Sequence, residues 1–565
     1  MRSGLGAILG IAIACDALQA DDFFVAPNGT PFGPGTLAQP YDVASAFSGQ
    51  VGQSGDTFWL RGGDYNLGHL NTEIQGAPGK PITFRQVSGE HARIDGSLAL
   101  FNSAGYIVFR DFELYSSDAN RVSSQTNAGF SPTDITILPG IAGYAPNLTL
   151  INLVVHDQTR HGIYLVEDST NTLVYGCLLY NNGWMSPDNA EGHGIYVQGD
   201  IGMRTLNDNI ICNNSGAGFQ VYENANGERL VGVMMDGNVA FNAGAIQQVR
   251  TYRDWIVGVD SPALYADGIC LCNNMGYLAP GASTYPELQI GRDSTNGSVM
   301  LTNNYMPLGL LMNNWHTATV TGNLFAPHST NYVVNLNQTL SPLTADWDNN
   351  IYIFDPPGPA VELNFNTYSF AEWQQVTGFD QDSTFVVGDL HGTKVFVRPN
   401  LYQPGRANIV VYNYDRLSNV VVDVSSVLAP GTRFEVRNAE DFEGAPVLSG
   451  LYRGQPLWLP MTNLTVATVN GPVNGPLAAP PPTGPRFNVF VLLPLPNPLQ
   501  IQRSGSSVKV SWPVGWSANA LQTAPSLVSP VNWTDSPLTP IMTGDRFMIS
   551  EPAGFARKFY RLRPQ

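Results

Sequence analysis

Four short segments in the middle of the chain repeat one pattern: Gly162-Ile163-Tyr164-Leu165, Gly194-Ile195-Tyr196-Val197, Gly218-Phe219-Gln220-Val221 and Ala245-Ile246-Gln247-Gln248. A second strand pattern recurs in step, as Leu153 to His156, Leu178 to Asn181, Ile210 to Asn213, Val239 to Asn242 and Cys270 to Asn273. With His156, Asn181, Asn213, Asn242, Asn273 and Asn303 in one register, successive copies lie 25, 32, 29, 31 and 30 residues apart. That period is the size of one solenoid coil. Each coil can bury its apolar side chains only against the coil above and below, so the pattern predicts a right-handed parallel β-helix.

In a stack of coils, like packs on like. Val155, Tyr180, Cys212, Phe241 and Cys272 are therefore expected as an inward apolar stack. His156 and the asparagines that follow are expected where a strand bends, because asparagine tolerates left-handed backbone angles and bonds its own neighbouring backbone. A β-sandwich also has short strands and turns, but nothing in it keeps two strand types in step.

The chain has 565 residues and exceeds one compact globule, so several domains are expected. Arg2, the apolar run from Leu5 to Ala14 and the small residues before Asp21 read as a secretory signal peptide over residues 1–20. The mature protein is then secreted, periplasmic or at the cell surface, with no transmembrane segment. Cys15 offers an alternative as a lipid-attachment site. Cys177, Cys212, Cys270 and Cys272 fall in the repeated strands, without a histidine pair at zinc-finger spacing, and are expected as buried free thiols. A net charge of −17 argues against nucleic acid as a partner.

Residues 22 to 114 carry Phe24-Val25-Ala26-Pro27-Asn28-Gly29, Gly35-Thr36-Leu37-Ala38-Gln39-Pro40, Gly55-Asp56-Thr57-Phe58-Trp59-Leu60-Arg61-Gly62-Gly63, Gly79-Lys80-Pro81-Ile82-Thr83-Phe84 and Ile94-Asp95-Gly96. In these segments the chain resembles pectate-lyase-like β-helix proteins, including the family-9 polysaccharide lyases. The resemblance implies a carbohydrate-active protein with a polysaccharide partner. It also implies a catalytic lysine in the central coils, and here the chain departs from the pattern. Its only lysines are Lys80, Lys394, Lys509 and Lys558.

The fold class expected is all-β: a parallel β-helix over residues 21–385, followed by two smaller β-sandwich-like domains. Strand runs such as Ile409-Val410-Val411-Tyr412 and Val489-Phe490-Val491-Leu492 place the first accessory domain at 386–495. A proline-rich linker follows at 496–502, stiffened by Pro494 to Pro498. Residues 503–565 read as a small sandwich that resembles C-terminal modules of large secreted bacterial proteins.

Candidate chemistry lies on the outward ladder of the glycine-led strands. Matching positions on adjacent rungs are about 4.8 Å apart. Asp168 and Asp200 should then be rung neighbours, with Asn224 next, which suits a Ca²⁺ site. Glu167 and Glu223 fall two rungs apart, and paired carboxylates are the tools of a glycosidase. The ladder Tyr164, Tyr196, Gln220 and Gln247, flanked by His161 and His193, makes a platform on which a sugar can stack. Trp184, in the insertion between Gly183 and Gly192, Tyr222 and Arg253 are further substrate-binding candidates. For elimination next to a uronate carboxylate, the candidate proton-transfer and charge-neutralising residues are His193, Tyr196, His161 and Arg250. For hydrolysis the candidate acid is Glu223. A non-catalytic glycan-binding or structural protein is the third reading.

Overall fold

The computed structural model describes residues 20–564 apart from 102, 167, 225, 226, 228, 280–284, 286, 329, 356, 357, 472–476, 496–498, 517, 518, 555 and 556. The signal peptide expected over residues 1–20, Cys15 included, lies outside the described residues save Ala20, and so do Glu167 and the centre of the proline-rich linker.

Short parallel strands wind into a β-helix. One face is a 12-stranded parallel sheet that runs from Asp22–Thr30 to Thr344–Asp348. The other two faces share the long strands Gly63–Thr72 and Ala92–Leu100, then separate into two parallel series. One series contains Val154–His156, Leu178–Tyr180, Ile210–Cys212, Val239–Phe241 and Met275–Tyr277. The other contains Ile141–Gly143, Ile163–Leu165, Ile195–Val197, Phe219–Glu223, Trp255–Val259 and Glu287–Ile290. A single apolar core fills the interior from Val25 to Trp373. Each fully buried Val, Leu, Ile or Phe in it contributes about 1.5–3 kcal/mol. The helix Val43–Phe47, capped by Asp42, places Phe47 on Phe84 at 4.5 Å and covers the first coils. Phe370–Thr377 places buried Trp373 against Trp347 at the other end.

The glycine-led ladder holds for three rungs: Tyr164 pairs with Tyr196 and Tyr196 with Gln220. The fourth position is Ile256, not Gln247. Residues 243–254 form a loop between the rungs, so Ala245 to Gln248 resemble the repeat only in composition. Asp254 closes that loop by accepting the backbone N–H of Ala243 at 2.8 Å.

The asparagine register also mixes two corners of the coil. Asn181, Asn213 and Asn242 turn with positive φ after one strand series, whereas Asn273 and Asn303 do so after strands of the 12-stranded sheet. His156 pairs with Tyr180 inside a strand, and Asp157 holds the bend. Both corners need a left-handed residue, so asparagine alone does not say which one it occupies. Cys270 and Cys272 accordingly belong to the other sheet, in Ala266–Cys272, and are half-buried on its outer side.

Val155 enters the helix core as expected, but on the following rungs the inward stack is displaced by one residue: Leu179, Ile211 and Ala240 enter the core, while Tyr180, Cys212 and Phe241 point outward. A one-residue slip exchanges the two faces of a strand. These outward residues are nonetheless buried, because Val410, Tyr412, Phe487, Val489 and Val491 of an antiparallel sheet cover them. That five-stranded sheet contains Thr393–Pro399, Ala407–Asn413, Phe487–Pro494, Arg433–Asn438 and Leu448–Leu451.

A buried ladder stands one residue beyond the corner that follows the 12-stranded sheet. Asn209, Asn238, Asn274, Asn304, Asn323 and Asn350 each accept, through Oδ1, the backbone N–H of the asparagine one rung earlier, at 2.9–3.0 Å, with Asn209 accepting from Cys177. Their side-chain amides donate to carbonyls such as Leu206, Met235 and Leu271. Burial is tolerated because both ends of each amide are satisfied. Beyond residue 499 lie smaller antiparallel sheets. They fold back on the first coils, where Ser88 donates its backbone N–H to Asp545 at 2.8 Å and Val514 packs with Phe24, Trp59 and Val87.

Candidate active site

An open cavity of about 660 Å³ lies over the glycine-led strands, lined by Tyr164, Tyr196, Gln220 and Tyr222 from the rungs and by Arg250, Tyr252 and Arg253 from the 243–254 loop. The rings continue along the groove, with centroids 5.2 Å apart for Tyr164 and Tyr196 and 6.4 Å for Tyr196 and Tyr222. Gln198 ties the platform together. It accepts from the Tyr164 hydroxyl at 2.5 Å and donates to the Tyr196 hydroxyl at 3.2 Å and to Glu223 at 2.8 Å.

Arg250 reaches the groove through the loop rather than the ladder. Gln247 folds that loop, accepting the backbone N–H groups of Val249 and Arg250 and donating to the Arg250 carbonyl. The guanidinium donates to Asn189 at 2.8 Å and sits over the rings of Phe130 and Tyr252. Three other arginines of the groove have carboxylate partners: Arg160 with Glu191 at 3.2 Å, Arg253 with Glu287 at 3.6 Å and Arg292 with Asp260 at 2.8 Å. Among the described residues, Arg250 has none within ion-pair distance.

His161 and His193 stack one rung apart, with centroids 5.0 Å apart and planes 8° from parallel. His161 Nδ1 accepts the backbone N–H of His193 at 3.1 Å, and His193 Nδ1 accepts that of Ala217 at 2.8 Å. An accepting nitrogen carries the lone pair, so each neutral ring holds its proton on Nε2. Burial, followed by the charges of Arg160 and Arg250, lowers His193 to about 3. Burial, with His193 and Arg160, lowers His161 well below the ordinary range. Both rings are therefore neutral hydrogen-bond donors, and His193 is not the solvent-facing proton exchanger expected from the sequence.

Glu191 closes this end of the groove from the hairpin strand Ala190–Glu191, which pairs with Trp184–Met185. Burial raises its pKa, against the opposing pull of Arg160. His161, Glu191 and His193 each bring one ligand atom to within 4.8 Å of the others. A metal on Nε2 would require the proton on Nδ1, which here faces a backbone N–H. The cluster is thus arranged to hold a hydrogen-bond acceptor rather than a cation.

The remaining sequence-based candidates are distributed differently. Glu223 shares the inward parity of Phe219 and Val221, is buried, and stands behind Gln198. His161 is fully buried behind His193. Trp184, on a strand of the hairpin, is fully buried, so it offers no sugar platform. Asp168 is an exposed turn residue, Asp200 pairs with Arg229 at 2.9 Å, and Asn224 alone of that trio lines the groove. The assumption of an unbroken rung fails there, since each strand ends in a turn of its own. Arg160 and Tyr252 were expected beside the platform and Glu191 in the 183–192 insertion, but the sequence assigned them no chemistry, and Gln198, Asp260 and Arg292 had no role in the expectation.

Residues 23–254 match the Pel9A-like, right-handed β-helix region. The groove lies on this Pel9A-like stretch and on the coil immediately after it. Solved structures with a similar architecture include the GH136 lacto-N-biosidase from Eubacterium ramulus, with 13% identity, 65% of this chain and 68% of that chain covered, and a TM-score of 0.42. Pectate lyase Pel9A shows 14% identity over 61% of this chain and 78% of its own, with a TM-score of 0.33. A mannuronic acid specific family 6 polysaccharide lyase from human gut microbiota shows 13% identity over 66% and 91%, with a TM-score of 0.39. No curated protein sequence matches the chain. No helix among the described residues is long and apolar enough to cross a membrane.

Proposed function

We propose that this protein binds an acidic polysaccharide along the tyrosine ladder and cleaves it by β-elimination. The observation that carries the reading is Arg250, a guanidinium with no ion-pair partner among the described residues, held over an aromatic groove by its own loop. Such a cation neutralises a uronate carboxylate and so acidifies the adjacent C–H. The Nε2–H of His193 adds a neutral donor to the developing negative charge. Glu191 accepts the proton: burial makes it a stronger base than an exposed glutamate, in a chain without a lysine between Lys80 and Lys394. The Tyr196 hydroxyl, kept protonated by burial, returns a proton to the departing glycosidic oxygen.

Hydrolysis is the second reading, favoured by the same raised pKa, because a protonated Glu191 would serve as general acid. The two readings part on product and on pH. Purified protein incubated with acidic and neutral polysaccharides should give unsaturated, ultraviolet-absorbing ends on an acidic one. Activity should rise with pH through the Glu191 titration if it is the base and fall through it if it is the acid. New reducing ends without unsaturation would replace elimination by hydrolysis.

A further inference from the structure

Away from the groove, on the outer side of the 12-stranded sheet, four sulfur atoms share one patch. Cys270 and Cys272 project from the same side of the strand Ala266–Cys272, with their Sγ atoms 2.8 Å apart. Met234 is in register with Cys270 on one neighbouring strand, and Met300 is in register with it on the other. Both methionines are exposed, at 40% and 42%. Cys270 and Met300 help to line a shallow cavity together with Ser298, Thr317 and Asp346.

We propose that Cys270, Cys272, Met234 and Met300 form a binding site for a soft monovalent cation, Cu(I). Register brings each methionine backbone within about 4.8 Å of Cys270, and an unbranched thioether with three rotatable bonds closes that gap. Two thiols and two thioethers are the ligand set that selects Cu(I) over harder divalent ions. The one carboxylate in register with Cys272 is Asp236, which is engaged by Asn273 at 2.8 Å and Arg398 at 3.7 Å. Residues i and i+2 of an extended strand have Cα atoms about 6.6 Å apart, inside the range a disulfide spans, so the two thiols bind the cation only while they are reduced. Thr302 donates to Cys272 Sγ at 3.1 Å. Each thiol that coordinates releases its proton to solvent, so uptake is accompanied by proton release.

The test uses the full chain carrying Cys15→Ser, reduced and handled without oxygen, with Cu(I) titrated against a chromophoric Cu(I) chelator. One Cu(I) per chain should be taken from the chelator. Cys270→Ser with Cys272→Ser should abolish uptake, and Met234→Leu with Met300→Leu should weaken it at least tenfold, with far-ultraviolet circular dichroism and melting unchanged in both. Uptake that survives the cysteine pair, an affinity indifferent to the methionines, displacement by equimolar Zn(II), or no uptake at all would each overturn the proposal. Cys177 and Cys212 are buried, so neither accounts for binding lost with Cys270 and Cys272.

Discussion

His193 accepts the backbone N–H of Ala217 through Nδ1 at 2.8 Å, and this bond decides the chemistry open to the ring. Its proton sits on Nε2, and burial keeps it neutral down to about pH 3. His193→Ala should therefore lower kcat about 10²-fold or more, the usual cost of a lost charge-stabilising donor. The limbs of the kcat/KM profile should stay where they are. A limb that vanishes with His193 would show that it titrates during turnover.

Glu191→Gln preserves shape and hydrogen bonding to Arg160 but removes proton transfer. Turnover is expected to fall about 10²–10⁴-fold with the melting temperature little changed, because only a general acid or base is lost. The limb assigned to Glu191 should disappear from the residual activity. By contrast Glu223→Gln, behind Gln198, is expected to alter activity only through the position of the tyrosine platform.

Arg250→Ala should raise KM for an acidic polysaccharide and also lower kcat, since the charge it neutralises grows as the proton leaves. Arg250→Lys should recover part of both. Equal effects on acidic and neutral glycans would argue that the guanidinium only shapes the loop.

His156 lies between Glu113 at 3.0 Å and Asp157 at 2.7 Å. Burial alone would lower its pKa, but hydrogen bonds to the two carboxylates overcome this and raise it to about 9 from 6.5. The folded state thus binds this proton more tightly than the unfolded state. The resulting stability is fully present below about pH 6.5 and is lost as the pH rises through about 9. Unfolding free energies measured by chemical denaturation from pH 6 to 10 should decline in the wild type by roughly 3 kcal/mol, and decline less in His156→Gln.

Phe487 stacks on Tyr277 at 4.3 Å and meets Phe241 edge-on at 5.1 Å, joining the antiparallel sheet to the β-helix. Phe487→Ala is expected to cost about 3–5 kcal/mol by opening a cavity at this junction. A stability loss below 1 kcal/mol in chemical denaturation would mean that the two units hold together by other contacts.

Much of the fold was legible because a solenoid writes its period into the chain. Gly-Ile-Tyr at Gly162 and Gly194 placed Tyr164 beside Tyr196, and Gln220 followed. Reading failed wherever one residue type serves two places. Asparagine suits both corners, so Asn273 was assigned to the wrong sheet, and Ala245 to Gln248 imitated a rung while forming a loop. That error still led to Arg250, since the loop carries it to the groove by another route.

The architecture and the tyrosine ladder could be read from the chain because both are local order repeated from coil to coil. What is buried at the junction and what meets in the groove depended on contacts between distant segments. Tyr180, Cys212 and Phe241 alternate as any strand does, and nothing within that strand series records that residues near 410 and 490 will cover their outward side. Glu191, Arg160 and Arg250 come from a hairpin, a turn and a distant loop. Their mutual charge and burial exist only once those segments close over the same rungs.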